Sequence, residues 1–133
     1  MILVSKTYLS RANSPFKATD LEALLQTCRA NNTTVNVTGA LLHHNQYFLQ
    51  LIEGEEQQVG HIYRRIEQDP RHEILSILFE DEISARFFPD WSMGYREAET
   101  IHSDALNRIL ESAKMAGERF PISDFLLMFG NED

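Results

Sequence analysis

Residues Asn36–Gly54 read NVTGALLHHNQYFLQLIEG, and this stretch decides the fold. It reads as two strands joined by a short polar turn over His43 to Gln46. Tyr47, Phe48, Leu49, Leu51 and Ile52 suit a half-buried strand. Gln50 interrupts them, and strand alternation puts it on the face of Phe48 and Ile52. A primary amide on an apolar face must be hydrogen-bonded, or it costs roughly 1–3 kcal/mol. It has two donors and two lone pairs, and rotation exchanges its two ends. Taken alone, Gln50 reads as a structural amide bonded to backbone.

The elements on either side extend the pattern. Ile2 to Leu9 reads as a strand with Tyr8 near its end. Alternation puts Lys6 on the face of Tyr8, which is awkward for a buried face. Arg11 to Ala18 is a loop with Ser14-Pro15 as its turn signal. A helix opens at Thr19, where Thr19 to Glu22 match a capping box. Leu21, Leu24, Leu25 and Cys28 form its buried stripe, and Asn31-Asn32 mark its end. After the hairpin, Glu55 and Glu56 favour a second helix start. Val59, Ile62, Tyr63 and Ile66 give that helix one apolar face, and Asp69-Pro70 stops it. Ile74 to Glu80 reads as a fourth strand. Phe87 to Tyr95 turns at Pro89-Asp90 into a fifth, with Trp91, Met93 and Tyr95 on one parity.

The order β, α, β, β, α, β, β predicts an α+β, ferredoxin-like sheet with two helices on one face. The second hairpin strand is apolar on both parities, so its other face is expected to be covered. Leu106, Ile109, Leu110 and Ala113 stripe a helix after Ser103, and Phe125 to Phe129 lie in a second short one. Residues 1–97 are thus read as the main domain, and 98–133 as a C-terminal helical cap.

Bulk properties narrow the function. One chain of 133 residues is long enough for one real core. Its 43% hydrophobic and 24% charged content is ordinary for a globular protein. A formal net charge of −8 disfavours nucleic acid and anionic membrane surfaces. The single cysteine, Cys28, suits a reducing compartment, and no run approaches a membrane span, so a cytoplasmic protein is expected. No phosphate loop, dinucleotide fingerprint or nucleophile elbow is present. His43-His44 lacks partners at metal-ligand spacing and reads as a solvated turn. Cys28 reads as packing rather than nucleophile.

What remains is an unusual polar set in a sheet-and-two-helix frame. Tyr8 ends the first strand, Asn31 and Asn32 end the first helix, and Gln50 sits mid-strand. Arg65, Asp69, Arg71 and His72 lie at or beyond the end of the second helix. In this topology the first and third strands are central, so Tyr8 and Gln50 can be neighbours. The groove between the helices suits a flat ring, with amides at its polar edge and arginines near a phosphate tail.

This set resembles the BLUF domain, a blue-light sensor that binds flavin. The resemblance rests on Tyr8 and Ser10, Asn31-Asn32, Thr38 to Leu42, Phe48 to Gly54, Asp69 to His72 and Phe88 to Met93, and covers about residues 1–97. With no effector domain following, it resembles the short, single-domain kind. The resemblance implies a non-covalent flavin between the two helices, FAD first, with FMN or riboflavin as alternatives. It implies that Asn31 and Asn32 address the ring's polar edge and that Leu25 and Ile66 pack on its faces. Ser10, Arg65, Asp69, Arg71 and His72 belong to the binding set by the same resemblance, the last four toward the ribityl chain and phosphate. Tyr8 would bond Gln50, and Gln50 the flavin. Light would move an electron and a proton off Tyr8, and both would return after Gln50 rearranges. Trp91 and Met93, on the last strand, are the candidates for carrying the change outward. The implied protein is a photoreceptor, not an enzyme, signalling through a homo-oligomer or a separate protein partner. The alternatives are a ferredoxin-like ligand-binding or interaction module without a chromophore, and an acylphosphatase-type enzyme. The last lacks a glycine-rich arginine loop.

Overall fold

A computed structural model describes residues 2–15, 17–44 and 46–97. The chain runs β1 (Leu3–Ala12), α1 (Ala18–Thr34), β2 (Thr38–His44), β3 (Tyr47–Glu55), α2 (Glu56–Glu67), β4 (His72–Glu82) and β5 (Gly94–Glu97). The strands lie in the order β4-β1-β3-β2-β5. All neighbours are antiparallel except β2 and β5, which are parallel. This is the expected α+β arrangement, with β1 and β3 at its centre. Among the described residues no helix is long and apolar enough to cross a membrane.

One core forms between the helices and one face of the sheet. Tyr8, Leu41, Phe48 and Ile52 from the strands meet Leu25 of α1 and Val59, Ile62 and Tyr63 of α2. Leu42, Leu49 and Leu51, on the opposite parity, are buried as well. The helical cap expected over 98–133, including Leu106, Ile109, Leu110 and Phe125 to Phe129, lies outside the described residues.

Lys6 sits on the helix face without an unpaired charge. Its ammonium lies 3.7 Å from the centroid of the Tyr63 ring and 2.9 Å from Glu80 Oε2. The aliphatic stem stays against the core while the head finds π and carboxylate partners.

The observed boundaries correct several expectations. β1 runs on through Ser10 and Arg11 to Ala12, because these residues still pair with β3 or β4 on either side. The capping box at Thr19 is not used. α1 begins at Ala18, and the Lys17 backbone N–H donates to the Asp20 carboxylate at 2.9 Å. Asn31 and Asn32 do not end α1, which continues to Thr34. The asparagine that turns the chain is Asn36, at φ 56°, a left-handed conformation that asparagine tolerates. His43 and His44 belong to β2, not to the turn, and the His43 ring lies 4.9 Å from that of its cross-strand partner Phe48.

The largest correction concerns the fifth strand. It starts only at Gly94, so Trp91 and Met93 precede it rather than lie on it. The backbone before Gly94 is committed elsewhere. Trp91 O accepts from Gly39 N at 3.0 Å, and Ser92 O accepts from the Asn32 side chain at 2.8 Å. Glycine is needed at 94, since a Cβ there would stand 2.1 Å from the Trp91 ring.

Candidate functional site

The centre of the site follows from strand register. Tyr8 stands opposite Gln50 across the β1–β3 pair. The phenol is fully buried, and its hydroxyl donates to Gln50 Oε1. Gln50 Nε2 donates in turn to Met93 Sδ at 3.4 Å. Both ends of the amide are therefore engaged. The Cys28 thiol is also within hydrogen-bonding reach of Gln50. Tyr63 meets Tyr8 edge-on, with centroids 5.5 Å apart and planes at 72°. Burial pushes the Tyr8 hydroxyl well above the ordinary tyrosine range, and nearby Cys28, Tyr63 and Asp69 push the same way. The phenol is thus held neutral, with a proton to give and an acceptor already in place.

A groove between α1 and α2 opens beside Gln50. It holds about 730 Å³ of empty space, part of it open to solvent. Leu24 of α1, Leu41 and Phe48 of the sheet, and Ile62 and Ile66 of α2 make apolar walls. Thr27 and Cys28 complete the α1 side. This geometry fits a flat heteroaromatic ring: apolar side chains for its faces and amides for its polar edge.

Polar groups gather at the outer end. Arg65 Nη1 donates to Asn31 Oδ1 at 3.1 Å, joining α2 to α1. Asn32 is 2% exposed and lines the groove while its Nδ2 holds Ser92 O. Arg71 grips Asp69 in a bidentate pair, with Nη2 2.6 Å from Oδ2 and Nε 3.0 Å from Oδ1. Those bonds from Arg71 hold the Asp69 carboxyl below its usual range. His72 Nε2 lies 2.8 Å from the Ile66 carbonyl and must donate to it. In a neutral ring, Nδ1 then accepts from the Ser10 hydroxyl at 3.0 Å.

The expected binding residues Ser10, Asn31, Asn32, Gln50, Arg65, Ile66, Asp69, Arg71 and His72 all line this one groove. Tyr8 and Met93 meet it through Gln50. Leu25, expected on a ring face, packs in the core, and on α1 the apolar lining of the groove is Leu24 and Cys28. Trp91 turns away, 40% exposed, with its ring stacked on Phe88 at 5.4 Å. Met93, 2% exposed, is the one that meets Gln50.

The profile of the family described as "BLUF: Sensors of blue-light using FAD" matches residues 3–94. The chain belongs to the BLUF family. The domain matched over residues 3–94 is a blue-light sensor that uses flavin, sensory rather than catalytic. It is 36% identical over 92 residues to the photoactivated adenylate cyclase subunit beta of Euglena gracilis, covering 68% of this chain and 11% of that protein. It is 37% identical over 87 residues to the blue light- and temperature-regulated antirepressor BluF of Escherichia coli K12, covering 65% of this chain and 22% of that one. This BLUF chain thus spans a small fraction of these curated relatives. Among solved structures, the dark state of BlrB, a BLUF protein, aligns over 96% of this chain and 95% of that chain, with a TM-score of 0.79 and 32% identity.

Three positions that hold the segment around Met93 lie outside the candidate site residues. Arg29 Nε donates to Met93 O at 2.9 Å, and Arg86 and Glu53 tie down the segment before Met93. For Glu53 a signal existed: alternation puts it with Leu49 and Leu51 on a buried face, where a carboxylate demands several donors. Arg29 and Arg86 carry no such signal, since an arginine beside a loop looks like any solvated one.

Proposed function

We propose that this chain responds to blue light through Tyr8, Gln50 and Met93, and that the observation carrying the reading is the continuous hydrogen-bonded path Tyr8 hydroxyl–Gln50 amide–Met93 sulfur beside the groove. The flavin is held without a covalent bond as FAD, FMN or riboflavin, its ring between α1 and α2. Asn31 and Asn32 offer amides to its polar edge. Ile66 packs on a face, and Ser10, Arg65, Asp69, Arg71 and His72 line the side toward the ribityl chain and phosphate. When bound, flavin supplies absorption of blue light and, once excited, an oxidant for a nearby phenol.

The residues supply the rest. Tyr8 is positioned to release an electron and to pass its proton to Gln50 Oε1, the acceptor already bonded to its hydroxyl. Both return to Tyr8 once Gln50 has changed its hydrogen-bonding pattern, by rotation, by tautomerisation or by both. Rotation has a definite consequence. It turns the amide oxygen toward Met93 Sδ, and a thioether is only a weak acceptor. Two acceptors then face each other, so Met93 leaves Gln50. A buried amide with interchangeable ends becomes a switch, and the Met93 segment its reporter.

Residues 1–97 carry the sensing. The output passes through Met93 and the exposed Trp91 to a second copy of the chain or to a separate protein, in the cytoplasm. Absorption spectra before and after blue light test the reading. The purified chain is expected to be yellow and to gain a small, reversible red shift. A colourless protein that takes up no added flavin would refute it.

A further inference from the structure

Gln50 and Glu53 sit three residues apart on β3 and point to opposite faces of the sheet. Glu53 is fully buried. Its Oε1 accepts from Phe87 N at 2.9 Å, and its Oε2 accepts from Phe88 N at 2.7 Å and from the Thr38 hydroxyl at 3.0 Å. Arg86 reinforces the same point by donating to Thr38 Oγ1 at 2.8 Å and to the Glu53 carbonyl at 3.2 Å. From this anchor the chain runs to Met93, whose carbonyl is held by Arg29 and whose sulfur rests on Gln50. The segment thus leaves β3 at Glu53 and returns to β3 at Gln50.

We propose that Glu53 is a positioning residue for the light response, one that sets where the Met93 sulfur meets Gln50 by fixing the start of the 86–93 segment to the strand that carries Gln50. This rests on the Gln50–Met93 reading above. Two adjacent backbone N–H groups and a hydroxyl call for an acceptor with two oxygens and no hydrogen. A glutamine at 53 presents one acceptor and one donor, so an N–H group of the segment would face an NH2. A buried donor without its acceptor moves to find one. The start of the segment shifts, and Met93 shifts with it.

The test uses the full flavin-loaded chain labelled with methyl-13C methionine, with the Met93 resonance assigned by its absence in Met93→Leu. Glu53→Gln should keep the bound flavin and move the Met93 methyl resonance in the dark. It should also change the dark-recovery rate about threefold or more, yet add almost nothing when Met93 is already leucine, as residues coupled through one backbone shift do in a double-mutant cycle. An unmoved Met93 methyl resonance, or rate factors that multiply in the double variant, overturns the proposal. Should Glu53→Gln not fold, Thr38→Val removes one donor to the same carboxylate at similar shape, and the same two outcomes decide. A wild-type chain with no red shift would refute the switch reading, while the dark methyl resonance would still report whether Glu53 places Met93.

Discussion

The two ends of the groove are built on different physics. At the inner end Tyr8, Gln50 and Met93 are neutral and between 0% and 5% exposed. At the outer end Asp69, Arg71 and Arg65 are charged and reach solvent, the Arg71 side chain being 40% exposed. A hydrogen bond lost in the buried region leaves a group that water cannot rescue, at a cost of about 1–3 kcal/mol. An exposed ion pair contributes about 0–1 kcal/mol, because water replaces either partner. The inner end can therefore hold two sharply different hydrogen-bond states, whereas the outer end is suited to holding a charged tail and tolerating its variation.

The strongest way to break this contrast is at Tyr8. Tyr8→Phe removes only a hydroxyl, and Gln50→Leu removes the amide at similar volume. Both variants should remain yellow, because binding comes from ring burial and the outer contacts, and both should lose the red-shifted state entirely. If either shows the full shift, the inner end is not the switch.

Met93→Leu is the next step outward. It keeps the buried volume but removes the sulfur that accepts from Gln50 Nε2. The shift should persist while the dark-recovery rate changes several-fold, which time-resolved absorption after a light pulse would measure. An unchanged rate would make the sulfur a spectator. Trp91→Ala should have a smaller effect, since its ring packs on Phe88 and Gly94 at the surface. Its spectrum should stay wild-type, but the light-dependent difference in hydrogen exchange over residues 86–97 should diminish. An undiminished difference would move the output path elsewhere.

The smallest effect belongs to the outer end. Arg71 lowers the Asp69 carboxyl below the ordinary 3.8, so this pair contributes stability above that value and loses it as pH falls through the lowered one. Flavin release measured by fluorescence should thus rise on acidification below about pH 4. Asp69→Asn should flatten that rise, shift affinity by no more than about tenfold, and leave the red shift intact. A variant that binds normally but no longer switches would erase the distinction between the two ends. Tyr8 gives the complementary pH test. With its hydroxyl raised well above the ordinary 10.0, Tyr8 should contribute no tyrosinate absorption, taken as the difference between wild type and Tyr8→Phe, as pH passes through that value. A titration there would mean that the phenol is hydrated.

Much of this was legible in particular residues. The i, i+3, i+4, i+7 spacing of Val59, Ile62, Tyr63 and Ile66 located α2, and the alternation around Gln50 located the face it shares with Phe48 and Ile52. The element order made β1 and β3 neighbours, so that Tyr8 and Gln50 could meet, and the observed register sets them opposite each other. Helix ends were less legible, because Asn31, Asn32 and Asn36 look alike as terminators and only the backbone at Asn36 takes the left-handed conformation. The choice between Leu24 and Leu25 as a groove wall was equally closed to pattern reading. Neighbouring residues on one helix both count as apolar, and a small rotation of α1 decides which one meets the groove.

Local periodicity and chain order, being properties of consecutive residues, determined the sheet and the two helices and allowed Tyr8 and Gln50 to be neighbours. Tertiary structure alone decided that Met93 turns inward and Trp91 outward. Parity predicts facing only where the backbone is a strand. Residues 86–93 are not one: their backbone groups bond to Asn32, Gly39 and Glu53, and to Arg29 at Met93 itself. Those partners lie 34 to 64 positions away in the chain, and no local pattern in the sequence announces them.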